Sequence, residues 1–194
     1  YWVVEEEISK RAEGRYLAGW RKICRSTDER TFISTSIPLA GAGDNLLLYW
    51  TEDPSSTPYP VMSSFVFDFI ARQKLGGSNF QYFTAKQLPL VPAEHLEGTE
   101  PWTEELTYTA WDMSEFAADL GFHGPPFRWD PERRSLLRAE LDALMFRLYG
   151  IERDDVDYIL DTFPIVKRKD EAARGEYRTK RLILERYDAM VAAE

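Results

Sequence analysis

The acidic run IERDDVDYILD at residues 151–161, the single thiol Cys24 and the histidines His95 and His123 are the groups with the chemistry to make or break bonds. Paired carboxylates can hold a divalent cation or exchange protons, but these recur at helical spacing. That spacing sends them to a solvated face or a helix cap rather than to one focus. No carboxylate pair stands with a lysine in a strand context, the arrangement a metal-dependent nuclease needs. Cys24 has no nucleophile elbow around it and no second cysteine, so no disulfide framework or thiolate cluster is expected. The histidines sit beside loop residues without ligand-like neighbours and read as surface or satisfied loop side chains. AGAGDN, residues 40–45, lacks the lysine of a phosphate loop and the third glycine of a dinucleotide fingerprint, so it reads as a turn.

With catalysis disfavoured, charge and patterning carry the reading. The chain has 194 residues and a net charge of −9, which taken alone argues against a nucleic-acid partner. Its distribution says more: Lys10, Arg11, Arg15, Arg21, Lys22, Arg25 and Arg30 face only Glu13, Asp28 and Glu29 over the same stretch, while acidic residues crowd the second half. No apolar run is long enough to span a bilayer, and no signal segment is visible. The opening YWVVEEE without an initiator Met is expected of an internal piece of a longer cytoplasmic protein.

Up to Pro101 the chain reads as short strands, RYLAGWRKICR, RTFISTSIP and NLLLYW, separated by turn-rich segments. PVMSSFVFDFIARQKLGG places Met62, Phe65, Val66 and Phe69 on one helical face, with Gly76 and Gly77 as a left-handed exit, and an aromatic strand follows. Beyond Pro101 helices are predicted. One starts on Asp112 and Glu115 and stops at Gly121. A longer one has Asp130 as N-cap, Pro131 at the first position, the stripe Leu137, Leu141, Leu144 and Leu148, and Gly150 at its end. A shorter helix in RDDVDYILDTF stops at Pro164, and a last one puts Ile183, Tyr187, Met190 and Val191 on one face. The expected fold is α+β, with a small mixed-sheet α/β lobe over residues 1–98 and a mainly helical lobe over 99–194.

Residues 15–94 resemble the target recognition domain on the C-terminal side of large adenine-N6 DNA methyltransferases. Such enzymes occur as single-chain type IIG restriction-modification proteins and as methylases of BREX- and DISARM-type phage defence. The matching stretches are RSTDERTFISTSIP and, more closely, FVFDFIARQKLGGSNFQYFTAKQLPLVP, whose proline exit releases a chain from a sheet. RAELDALMFRLYGI, DYILDTFPIVKRKDE and GEYRTKRLILERYD resemble the helical tail of the same methylases. GPPF at 124–127 is similar to their base-holding Asn-Pro-Pro-Phe element but lacks the Asn that would bond the target amine, so it reads as a linker.

The resemblance implies a module that selects a site on double-stranded DNA for an upstream methyltransferase domain of the same chain. That domain would use S-adenosylmethionine, and the resemblance to type IIG enzymes leaves room for a DNA-cutting activity in the parent. This piece, expected to be monomeric, would itself hold no cofactor or metal and be inert as an enzyme. Its implied DNA-contacting residues are Arg25, Thr27, Arg30 and Thr31, the turn at Asn45, then Ser78, Asn79 and Gln81, with Lys74 and Lys86 as phosphate contacts. The alternative is a protein-interaction or scaffold module of a defence complex, docking through its acidic helical half.

Overall fold

The structure, a computed structural model, describes residues 5–9, 16–51 and 57–193. The chain is α+β. After helix α1 (Glu5–Ser9), three strands form one sheet in the order β2 (Ser34–Pro38), β1 (Tyr16–Arg21), β3 (Leu46–Tyr49), antiparallel throughout rather than mixed. Gly19 makes that closeness possible, since a Cβ there would lie 2.6 Å from the Leu47 carbonyl oxygen. Trp20, on β1, anchors the aromatic core. Its indole stacks on Phe32 and Tyr49, meets Tyr82 edge-on, and donates to the Phe80 carbonyl at 2.9 Å.

The helix expected after Pro60 is two pieces. Tyr59–Met62 forms the short α2, and α3 runs from Phe65 to Lys74. The break lies at Ser63 and Ser64, where the Ser64 hydroxyl donates to the Val61 carbonyl and accepts from the Phe67 amide, capping the second piece. Met62 therefore precedes the helix, and α3 buries Phe65, Val66, Phe67, Asp68 and Ala71, with Phe69 only half-buried. Gly76 and Gly77 do not supply a left-handed exit; the helix ends on an extended Leu75. The aromatic strand is likewise absent. Asn79 makes one bridge to Ile23, and Tyr82–Ala85 coils into α4 because Tyr82 and Phe80 are held by Leu48 and Trp20 rather than by a neighbouring strand.

Beyond a 3₁₀ turn at Ala93–His95, the helices α5 (Glu100–Thr107), α6 (Ser114–Asp119), α7 (Pro131–Leu148), α8 (Arg153–Asp161), α9 (Pro164–Arg174) and α10 (Arg178–Ala192) follow. α7 begins as its sequence dictates, with the Asp130 carboxylate accepting from the amides of Glu132 and Arg133 ahead of Pro131. Leu137 and Leu141 are fully buried and Leu144 and Leu148 partly so, while Gly150 takes φ +66 just past the end. Asp112 sits in a 3₁₀ turn before α6 rather than starting it, whereas Gly121, at φ +96, does end it. The short helix α8 ends at Asp161, ahead of Pro164 as expected, and Pro164 then opens α9, where a missing amide costs nothing in the first turn; Gly175 closes that helix in the left-handed conformation. On α10, Ile183 and Tyr187 are buried but Val191 is half-exposed.

One continuous core, from Trp20 through Phe67 and Phe146 to Tyr187, joins the sheet and α3 to the helices beyond residue 99. A smaller cluster of Tyr108, Met113, Phe116 and Leu120 packs under Tyr16 and receives the GPPF loop, where Phe127 stacks on Phe122. No helix among the described residues is long and apolar enough to cross a membrane.

The Asp68 carboxylate on α3 is fully buried and gathers the loop before β2. It accepts from the amides of Thr31 and Phe32 at 2.9 and 2.6 Å and from the guanidinium groups of Arg30 and Arg72 at 3.2 and 3.4 Å. Removing one partner of a buried ion cluster leaves the others uncompensated, at a cost of about 3–5 kcal/mol. Asp68→Ala is therefore expected to lower the unfolding free energy by that amount in urea titrations followed by circular dichroism. Asp68→Asn, which keeps an acceptor oxygen, should fall between.

Candidate nucleic-acid interface

Three surface segments meet at the end of the sheet where β1 runs out. The Lys22 amide donates to the Asn45 carbonyl at 2.9 Å, and the Lys22 carbonyl accepts from the Phe80 amide at 2.7 Å. Two residues on, the Cys24 amide donates to the Ser78 carbonyl at 3.0 Å. The next four residues form a tight turn: the Asp28 amide donates to the Arg25 carbonyl, and the Asp28 carboxylate accepts from the Arg25 amide and from Arg21. Main-chain bonds thus hold Arg25, Thr27, Asn45, Ser78 and Asn79 at one junction, and all five are exposed. Cys24 lies beneath it, buried, and burial pushes its thiol above the ordinary value.

Other expected contact residues are placed differently. Arg30 is turned inward: besides Asp68 it donates to the carbonyls of Ser63 and Ser64, both at 2.7 Å, and lies 4.3 Å from the centre of the Phe65 ring. Thr31 is fully buried, its amide on Asp68 and its hydroxyl on the Arg25 carbonyl. Arg30 thus spends its Nε and one terminal nitrogen on the interior, and Thr31 both its amide and its hydroxyl; both tie the loop to α3. Gln81 is half-buried ahead of α4, Lys74 is exposed in the last turn of α3, and Lys86 is exposed past α4, sharing no hydrogen bond with the junction. Lys22 pairs with Asp44 beside Asn45. Lys10, Arg11 and Arg15 of the basic stretch lie outside the described residues.

A second basic run went unremarked in the sequence, although VKRKD at 166–170 displays it openly. Of its cations Lys169 is paired with Glu29, and further along α9 and α10 Arg174 and Arg178 are paired with Glu132 and Lys180 with Asp157 and Asp161. Lys167 and Arg168 remain exposed and make no ion pair among the described residues. This pairing also spends much of the acidic excess of the helical half.

A cleft of about 590 Å³ opens between the loop before β2 and helices α7, α9 and α10. Asp142 of α7 lines it, buried, with one carboxylate oxygen accepting the Phe65 amide at 2.7 Å. Burial pushes this carboxyl up to about 6, against the opposing fields of Arg30 and the Phe65 amide. Among the described residues no group of histidine, cysteine or carboxylate side chains is placed to hold a metal ion. Compared with protein-family models, curated proteins and solved structures, the chain matches none.

Arg30→Ala should cost about 2 kcal/mol in urea titration, less than the loss of Asp68 because Arg72 still faces that carboxylate and Arg30 is partly open to water, whereas Arg25→Ala should be nearly silent. For Asp142, a folded value near 6 against an ordinary 3.8 means that the native state keeps its proton where the unfolded chain has lost it. The stabilisation is full below about pH 4 and is lost as pH rises through about 6. Asp142→Asn keeps the acceptor for Phe65 and cannot ionise, so relative to wild type it should gain up to about 3 kcal/mol between pH 4 and pH 7.5, read from urea midpoints across that range.

Proposed function

We propose that this chain is the DNA sequence recognition module of a restriction-modification or phage-defence adenine-N6 DNA methyltransferase, placing a duplex site before an upstream catalytic domain. The observation that carries the reading is the junction at the end of β1. Sequence readout requires polar side chains on rigid turns, because a mobile loop would lose its binding energy to ordering. Arg25 suits guanine, and Asn45 and Asn79 suit adenine, by the hydrogen-bonding patterns those bases present in the major groove. Lys74, with Lys86 further along the chain, supplies point charges suited to phosphate. Arg30 and Thr31 serve this function only indirectly, by fixing the loop that carries Arg25 and Thr27.

A second reading, a protein-interaction module of a defence complex, is favoured by one observation. Trp50 and Phe83 are 61% and 70% exposed on either side of the hydrogen bond from Tyr82 to the Leu48 carbonyl. Two large aromatics left in water there suit a protein partner, the upstream domain included.

Fluorescence anisotropy of the chain with labelled duplexes, at a series of salt concentrations, separates the readings. DNA recognition predicts affinity that falls steeply with salt. Lys74→Ala should weaken all sequences alike and lower the salt slope by about one, whereas Arg25→Ala or Asn79→Ala should cost about 1–3 kcal/mol and relax preference at one position. Those preferences are scored on a randomised library, or as methylated adenines in a host carrying the full-length gene. Absence of binding at low salt, with a retained complex between the chain and a methylase core that Phe83→Ala breaks, would favour the scaffold reading.

A further inference from the structure

We propose that the cleft beside α7 is a small-molecule site, separate from the β1 junction, for a nucleoside monophosphate whose ring carries an exocyclic amine: the phosphate held by Arg138, the amine by Asp142. Asp142 is 5% exposed, lines the cleft, and has its second carboxylate oxygen without a donor among the described residues. A buried acceptor left open toward a cavity calls for a hydrogen-bond donor on whatever fills it. Arg138 lies one helical turn earlier on the same face, is exposed, lines the same cleft and makes no ion pair or hydrogen bond among the described residues. Its guanidinium is thus open to a two-pronged anion.

Of the five cationic side chains that line the cleft, Arg30 is paired with Asp68 and Lys169 with Glu29, which leaves Arg138 as the lining cation without an ion pair among the described residues. Arg174 and Arg178 share the single carboxylate of Glu132, so their combined charge is only half matched. Apolar side chains line the cleft as well, Phe65, Leu141, Val166 and Ile183 among them. The volume, about 590 Å³, lies within the range usual for small-ligand sites, which runs from about 300 to 1,000 Å³. An anionic head, an apolar ring and an exocyclic amine answer the open guanidinium, the apolar lining and the open carboxylate oxygen.

Isothermal titration at pH 7.5, where Asp142 is ionised, compares AMP with purine riboside 5′-monophosphate, the same body with hydrogen in place of the amine, and with adenosine and inorganic phosphate. Wild type should bind AMP at least tenfold more tightly than each of the other three. Arg138→Ala should weaken AMP at least tenfold and leave adenosine unchanged. Asp142→Asn presents an amide donor to the cleft while its oxygen still serves Phe65, so AMP should lose its advantage over the purine riboside monophosphate. Equal binding of AMP and purine riboside monophosphate by wild type, no AMP binding at millimolar concentration, or an Arg138→Ala variant that binds AMP unaltered would each overturn the proposal. The wild-type comparison needs no variant to fold, and the junction at β1 plays no part in it.

Discussion

A carboxylate with no access to water sets the terms for the first half of this molecule. Asp68 can stay charged in the interior only if its lone pairs are met, and four donors meet them: two main-chain amides and two guanidinium groups. In consequence the loop between Arg25 and Phe32 has no freedom to choose its path. Arg72 extends the constraint outward. It donates to the carbonyls of Asp28 and Glu29 on one side and to that of Thr162 on the other, while its guanidinium lies 4.0 Å from the centre of the Phe163 ring. Burial draws the Arg72 guanidinium below its ordinary value and Asp68 pulls it back. The sheet, α3 and the corner between α8 and α9 therefore meet on one small set of ionic contacts.

What could be read from the sequence divides along a physical line. Elements determined by their own residues were legible. Asp130 before Pro131 caps α7 through two amides, the three β-branched and aromatic runs pair as strands, and Gly121 and Gly150 end helices with positive φ. Elements decided by neighbours were not. The residues 78–83 have the composition of a strand, yet the Trp20 indole and the Lys22 carbonyl claim the hydrogen-bonding groups of Phe80, and the chain turns into α4. The end of α8 before Pro164 was legible, but nothing local says that the same proline is also the first position of α9.

The candidate interface followed the same rule. Arg25, Asn45 and the adjacent Ser78 and Asn79 come from three distant stretches of sequence, and the bonds of Lys22 and Cys24 bring them together. Arg30, within the same basic stretch as Arg25, goes the other way, because its partners at Ser63, Ser64 and Asp68 are more than thirty residues distant and carry no signature of their own. The order of charges along a chain does not tell an arginine that reads a surface from one that builds it. Asp142 was hidden for a related reason: a single acid within an apolar stripe reads as a helix residue until its burial is seen.

Cys24 gives this architecture a built-in clock. Its sulfur is sealed directly under the junction, and burial disfavours the thiolate that alkylating reagents attack. With no other cysteine in the chain, any label taken up is taken up there. The pace of alkylation therefore records how often the three segments part, so the looseness of the surface loops can be timed in a test tube without altering a single residue that faces outward.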